Sequence, residues 1–281
     1  MAYITVIGGL NIDIVGTARD EPLPGDSSPG AVRVSIGGVG RNIARSLRGL
    51  GEAVQLIAPV SVDADGAFAR LDCERLGIGL TGALPVPTSC HYLCVNGPEG
   101  GLRLAVNDMA AMHLLTPGEI KARLPLINGS GLIVVDANLR EDALECVAAR
   151  AEKPLVADPV SAPKAGRLKG ILRRLDAIKP NRWEAAALTG LAPGDPPEVL
   201  AAALLQLGVK HVYLSLGAEG LFYMGPEGAF TAPSEAVRAI NFNGCGDAAT
   251  AAVAHGIASG MAAREIAPLA MREASRQARE A

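Results

Sequence analysis

The 281 residues contain no block of like charge and no apolar run long enough to span a membrane. The first absence, with a formal net charge of only −3, argues against nucleic acid or an anionic membrane surface as a partner. The second argues against a transmembrane helix. The opening stretch, MAYITVIGGLNIDIVG, has no basic segment and reads as a buried first strand rather than a signal peptide. Internal repeats and a disordered linker are also lacking; the proline-rich stretch 192–197 comes nearest to a linker. The five cysteines, Cys73, Cys90, Cys94, Cys146 and Cys245, are odd in number and scattered, which predicts reduced thiols and a cytoplasmic protein. Cys90-His91-Tyr92-Leu93-Cys94 has a zinc-like look. Strand alternation, however, puts His91 on the face opposite the two thiols, and no second ligand pair follows, so strand packing is the expectation.

About half of the chain is apolar (49%), enough for a sizeable core. Apolar, β-branched runs predict strands at 3–7, 53–59, 132–136, 155–157, 176–179, 211–215 and 220–223. Helical spacing occupies 42–50, 66–76, 142–150, 181–189 and the stretch after Asp247. Such alternation predicts an α/β fold with a mainly parallel sheet covered on both faces. Residues 22–36 and 88–106 break the rhythm with short alternating strands, a turn at 96–101 and no crossover helix. They predict a small antiparallel flap on a single α/β body spanning 1–281.

Several turns carry chemistry. Gly244-Cys245-Gly246-Asp247 opens a helix of small residues. Glycines at a helix start let an anion approach free N–H groups, so Asp247 is either a cap or a working acid beside a bound phosphate. Ser215-Leu216-Gly217-Ala218-Glu219-Gly220 is a second glycine-bearing turn after a strand. Asn181 and Glu184 stand three apart at a helix start, where they form a capping box or face a ligand together. Asp158-Pro159 closes a short strand, where ligands of α/β proteins sit. Gly8-Gly9-Leu10-Asn11-Ile12-Asp13 ends the first strand and Gly37-Gly38-Val39-Gly40-Arg41-Asn42 opens the first long helix. A dinucleotide-binding turn is excluded: the first strand runs into the wrong sequence, Ile43 stands where the third glycine belongs, and the next strand does not end in an acid.

Taken in order, the turn at 37–42, Asn181-x-x-Glu184, Ser215-x-Gly217-x-x-Gly220 and Asn243-Gly244-Cys245-Gly246-Asp247 resemble the signatures of the ribokinase-like sugar and nucleoside kinases, over residues 3 to 260. Within that family, Asp26-Ser27-Ser28-Pro29-Gly30, Asn107-Asp108-Met109 and Asp158-Pro159-Val160-Ser161-Ala162 resemble the pseudouridine kinases. The resemblance implies a three-layer α/β/α body with a β lid, a homodimer formed through that lid, and the use of ATP and Mg2+. It implies that Asp247 is the catalytic base and that Gly244, Cys245 and Gly246 form an anion hole. Asn11, Asp13, Gly38, Asn42 and Asn138 would hold the sugar, and Ser27, Asn107 and Asp108 the base. Asn181, Ser215, Gly217 and Gly220 would bind the nucleotide, with Glu184 acting on Mg2+ through water. The reaction implied is phosphorylation of the 5′-hydroxyl of pseudouridine. The alternatives are another sugar or nucleoside kinase of the family, for ribose, inosine or adenosine, and a non-catalytic nucleotide-binding protein. The intact Asp247, Asn181 and glycines argue against the last. A helix dipole should also lower the Asp247 pKa, leaving the acid to orient as much as to remove a proton.

Three departures from the family pattern stand out. Asn241-Phe242 replaces a usual Asp-Thr, which leaves a monovalent cation site open to question. Cys245 replaces a usual alanine and makes the turn a thiol-bearing one. Relatives continue past the helix at 263–280 with elements near the adenine, so a shortened chain or an open adenine pocket is expected.

Overall fold

A computed structural model of the chain describes residues 3–23, 25–234 and 243–279. The first strand, β1 (Ile4–Ile7), is wholly buried; after Gly8-Gly9 come β2 (Asn11–Ala18) and β3 (Gly30–Gly37). Next are α1 (Val39–Gly49), β4 (Val54–Ile57), β5 (Pro59–Ser61), α2 (Ala64–Arg75), β6 (Ile78–Gly79) and β7 (Leu84–Val86). A hairpin of β8 (Cys90–Asn96) and β9 (Leu102–Asp108) leads through α3 (Pro117–Ala122) and α4 (Leu124–Asn128) to β10 (Leu132–Asp136). The chain continues as α5 (Glu141–Arg150), β11 (Leu155–Asp158), α6 (Ala162–Ala165), β12 (Ala177–Ile178), α7 (Arg182–Thr189) and α8 (Pro197–Gln206). The last described elements are β13 (His211–Ser215), β14 (Leu221–Gly225), β15 (Gly228–Ala232), α9 (Cys245–Ala258) and α10 (Ala263–Arg279).

Among the described residues the main sheet has nine strands in the order β15-β14-β13-β12-β11-β10-β1-β4-β6. All neighbours from β6 to β13 are parallel, and the edge pairs β13/β14 and β14/β15 are antiparallel. Strand β10 shows why the body has three layers. Ile133 and Val135 pack with Leu144 and Val147 of α5 and Leu188 of α7. Leu132 and Val134 join Ile43 and Leu47 of α1, Val253 of α9 and Ile266 of α10 on the other face. Alternate residues thus feed opposite cores, so an unbroken apolar run is what this position needs. Each such side chain removed from water contributes about 1.5–3 kcal/mol.

Parallel strands end at one edge. There the chain leaves the sheet at Gly8, Asp136, Asp158, Lys179 and Ser215 in turn. From β1 the chain continues to β4 on one side, and β10 lies on the other, so the crevice opens where these paths diverge.

The lid differs from expectation. It is a four-stranded sheet in the order β3-β2-β8-β9, so residues 11–18, read in part as the tail of the first strand, form one of its two central strands, and residues 22–23 and 25–29 are loop. Nor is it wholly antiparallel: β2 and β8 run parallel, from Asn11↔Cys90 to Thr17↔Asn96. Both strands leave the body in the same direction, and the long segment from α1 to β7 supplies the crossover that a parallel pair requires. Helix α1 also starts earlier than expected, at Val39 rather than at Asn42.

Candidate active site

The turn after β1 sets the floor of the crevice. Asp136, at the end of β10, is fully buried; it accepts the N–H of Gly9 (2.7 Å) and of Asn138 (2.8 Å). Burial pushes its carboxyl up to about 6, against the pull of those two N–H groups. Gly38 has φ 98°, and a Cβ there would lie 2.5 Å from the Gly9 oxygen, so only glycine lets the start of α1 cross the β1–β2 turn.

The sugar-side candidates divide by face of the lid. The buried Asn11 donates from Nδ2 to Asp13 Oδ1 at 2.5 Å. Burial raises the Asp13 carboxyl above its ordinary range, while Asn11 and the charge of Arg41 pull it down. Asp13 pairs with Ser35 and Tyr92, and Tyr92 with Asn107, so these four form one row on one face. Asp108, one residue on, belongs to the opposite face, where its Oδ1 accepts the Ala110 N–H (3.0 Å). Period-2 alternation separates these neighbours, so the structure does not bring Asp108 to the Asp13 row. Ser27 lies exposed in the loop before β3, its N–H donated to Asp26 (2.7 Å). Asn138 is buried at the end of β10, and its Oδ1 accepts from Lys164 Nζ (2.6 Å). Burial lowers the Lys164 amine below its usual range.

Gly244 (φ 79°) is the N-cap of α9 and makes no side-chain cap, so Asp247 falls in the first turn rather than at the cap. Its carboxylate is engaged elsewhere: Asn42 Nδ2 of α1 donates to Asp247 Oδ2 at 2.9 Å. The amide of Asn42 is oriented by Arg41, which donates to Asn42 Oδ1 (3.2 Å) and forks onto Asp72 at 2.7–2.9 Å. The plain-cap alternative for Asp247 therefore does not hold. Nor does the expected lowering by the helix dipole. Burial, with Asp158 and Asp136 nearby, pushes the carboxyl up to about 7, against the pull of Asn42 and Lys179. A carboxylate so placed can accept a proton near neutral pH.

Across the crevice, Asn181 is the N-cap of α7 and forms a true capping box. Glu184 N–H donates to Asn181 Oδ1 (2.9 Å) and Asn181 N–H to Glu184 Oε2 (2.8 Å). Glu184 is buried, which raises its carboxyl while Lys179 pulls it down. Ser215 bridges to Asn181 in the sheet, and its N–H (2.8 Å) and hydroxyl (3.1 Å) both donate to the Pro180 carbonyl. Gly217 and Gly220 bracket the short 3-10 turn between β13 and β14. The β12 and β13 ends thus hold Asn181, Glu184, Ser215, Gly217 and Gly220, while the β1 and β10 ends hold the sugar-side group. Asp247 stands between them, facing Asp158 and Lys179 from the β11 and β12 ends as well as Asn42.

Pattern reading missed Lys179, Thr250, Lys164 and the Arg41–Asp72 pair as parts of this site. The one available signal was Lys179, a charged residue closing an apolar strand at the ligand edge. Cys90 and Cys94 are buried free thiols, and His91 pairs with Asp65 at 2.9 Å. Cys245 is half-buried, and burial raises its thiol above the ordinary range. Asn241 and Phe242 lie outside the described residues. Among the described residues no helix is long and apolar enough to cross a membrane.

The profile of the pfkB family carbohydrate kinases matches residues 1–280. The pseudouridine kinase of Escherichia coli (strain K12) is 33% identical over 266 residues, covering 92% of this chain and 85% of that protein. The ribokinase of Thermotoga maritima superposes with a TM-score of 0.90 at 24% identity, over 100% of this chain and 94% of that one. The Arabidopsis thaliana ribokinase solved with ribose and ATP gives 0.84 at 21% identity, over 98% and 91%.

Proposed function

We propose that this chain, which belongs to the pfkB family of carbohydrate kinases and is an ATP-dependent sugar or nucleoside kinase, phosphorylates the 5′-hydroxyl of pseudouridine. The observation that carries the reading is the 2.9 Å hydrogen bond from Asn42 to Asp247, which joins the two signature turns over the ligand edge of the sheet. The similarity to a pseudouridine kinase points to the nucleoside.

In this reading Asp247 takes the proton of the 5′-hydroxyl, and the backbone of the turn Gly244-Cys245-Gly246 receives the transferring phosphoryl group. Such donors act where charge develops in a loose transition state, so positioning counts for more than basicity. Asn11, Asp13, Gly38 and Asn42 hold the ribose, with Asn138 beside them. Ser27 and Asn107 meet the base from the lid, whereas Asp108 serves the strand end. Asn181, Ser215, Gly217 and Gly220 line the ATP site. A protein cage for a metal is not what the donors suggest: among the described residues no three His, Cys, Asp or Glu are placed so that they could hold a metal ion. They fit a Mg2+ ion held mainly by phosphates and water, with the buried Glu184 acting through water. Bound there, the ion would neutralise charge on the phosphates.

The body and lid work as one unit, the lid closing over the sugar to exclude water. The outer lid face carries the rows Val34-Ile14-Leu93-Val106 and Val32-Gly16-Val95-Leu104, and this apolar face meets a second copy.

Initial rates with pseudouridine, uridine and ribose at saturating ATP test the reading. Pseudouridine should exceed both others in kcat/KM by at least about tenfold, ~1.4 kcal/mol. If ribose equals or beats it, the function passes to a ribokinase.

A further inference from the structure

A buried lysine lies beneath the turn that carries Asp247. Lys179 leaves the end of β12 and is 4% exposed. Its ammonium stands 3.5 Å from Asp158 Oδ2, and a Cβ added to Gly246 would lie 3.1 Å from it. Any other residue at 246 would press on that amine. Asp158 is fixed at both oxygens: Val160 N–H donates to Oδ1 (2.8 Å) and the Thr250 hydroxyl to Oδ2 (2.5 Å). Val160 holds φ 66°, a conformation that β-branched residues rarely adopt, so this turn is kept in place by its surroundings. Thr250 lies three residues beyond Asp247 on α9, and the clamp therefore ties the ends of β11 and β12 to that helix.

Stability alone is a poor reason for this arrangement. A buried ion pair often contributes no more than apolar residues of the same volume. A cation at a helix N-terminus also opposes the macrodipole. Burial works against the Lys179 ammonium, yet Asp158, Glu184 and Asp247 together outweigh it and keep the amine charged.

We propose that Lys179 is the positioning residue of the catalytic turn: paired under Gly246 with Asp158, which Thr250 of α9 holds in place, its ammonium sets the proton affinity of Asp247. The proposal rests on the reading of Asp247 as the proton acceptor. Asp247 is faced by Asn42 from α1, Asp136 from the end of β10, Asp158 from the end of β11 and Lys179 from the end of β12; Glu184 of α7 faces Lys179 in turn. The two acids oppose ionisation of Asp247, and the ammonium favours it. Removing the lysine charge should therefore make Asp247 hold its proton to higher pH, and removing the Asp158 charge should release it at lower pH.

The test is the pH profile of kcat/KM for the wild type, Lys179→Met and Asp158→Asn, each first shown to melt cooperatively. The acid limb of Lys179→Met should move up by about one pH unit, a loss of roughly fivefold at pH 7 that approaches about tenfold in acid and recovers in alkali. The limb of Asp158→Asn should move down. A Lys179→Met profile depressed by the same factor at every pH, its acid limb unmoved, overturns the proposal. If that variant fails to fold, Lys179→Gln, which keeps a donor for Asp158, carries the same readout. Titration of the unliganded protein with 13C-labelled aspartate separates this from the kinase reading. The Asp247 carboxyl signal, assigned by its loss in Asp247→Asn, should shift in the same two directions even where no nucleoside is phosphorylated, and an unshifted signal counts against the lysine.

Discussion

At the scale of single residues, Asp247 sets function against stability. Its carboxyl is pushed up to about 7 by burial and by Asp158 and Asp136. A carboxyl raised in the folded state contributes stability when protonated, below its unfolded value, and loses that contribution as pH rises through the folded value. In its proposed role as proton acceptor, however, it works only when ionised. Turnover should thus rise through neutral pH as this part of the stability falls. Asp247→Asn removes the titration but keeps an oxygen to accept from Asn42. We expect it to lose about 10²–10⁴-fold in kcat. Its melting temperature at pH 8 should nonetheless exceed that of the wild type, by roughly 2–4 °C per kcal/mol of relieved strain, the gap closing toward pH 5. Melts at the two pH values and one set of rates check this; a lower melting temperature at pH 8 would show that the ionised carboxylate is a structural asset.

At the scale of elements, α7 raises a question that geometry alone leaves double. Asn181 and Glu184 form a capping box, a structural role, at the spot where the nucleotide is expected. Serine caps a helix about as well as asparagine but lacks its amide reach. Asn181→Ala should cost about 1 kcal/mol of stability and weaken ATP use, whereas Asn181→Ser should keep the melting temperature and still raise the KM for ATP. The lone tryptophan, Trp183, exposed two residues away, should report nucleotide binding by fluorescence. Equal ATP affinity in the serine variant would leave Asn181 as a cap only. The same helix shows what pattern reading can reach. Its box was visible as Asn and Glu three apart, because a cap is a local device. The central strands were legible for a similar reason: β10 is apolar from Leu132 to Val135 because both its faces are covered. Strand β2 was hidden because its first residues read as part of a glycine-turn motif, and its pairing with β8 joins residues about eighty apart. The clamp of Asp158, Lys179 and Thr250 was hidden more deeply, since three separate elements meet only in the packed structure.

At the scale of the whole molecule, the lid has two faces with opposite chemistry, and the fold explains only one of them. The Asp13, Tyr92 and Asn107 row fits a polar ligand. The other face leaves Val32 (74% exposed), Val34 (51%), Leu104 (58%) and Val106 (58%) in water. Apolar side chains arrayed in register across four strands mark an interaction surface rather than scattered surface residues. On the proposed reading the partner is a second copy, whose own lid offers the matching apolar rows, because a twofold contact repeats such a patch on itself. The expected species in sedimentation is therefore twice the 28.8 kDa chain. Val34→Glu with Val106→Glu places a charge at each end of one apolar row on both copies, and burying like charges at such an interface costs several kcal/mol. The double variant should sediment as a monomer with its melting transition intact, because neither side chain belongs to a core. Both residues lie on strands that also carry Ser35 and Asn107 on the other face, so freeing the lid should loosen the nucleoside grip. The KM for nucleoside should rise while the KM for ATP stays near its wild-type value, since the nucleotide candidates lie on the body. A wild-type protein that sediments as a monomer at micromolar concentration would overturn the dimer, and a double variant with unchanged nucleoside KM would show that the lid closes without a partner.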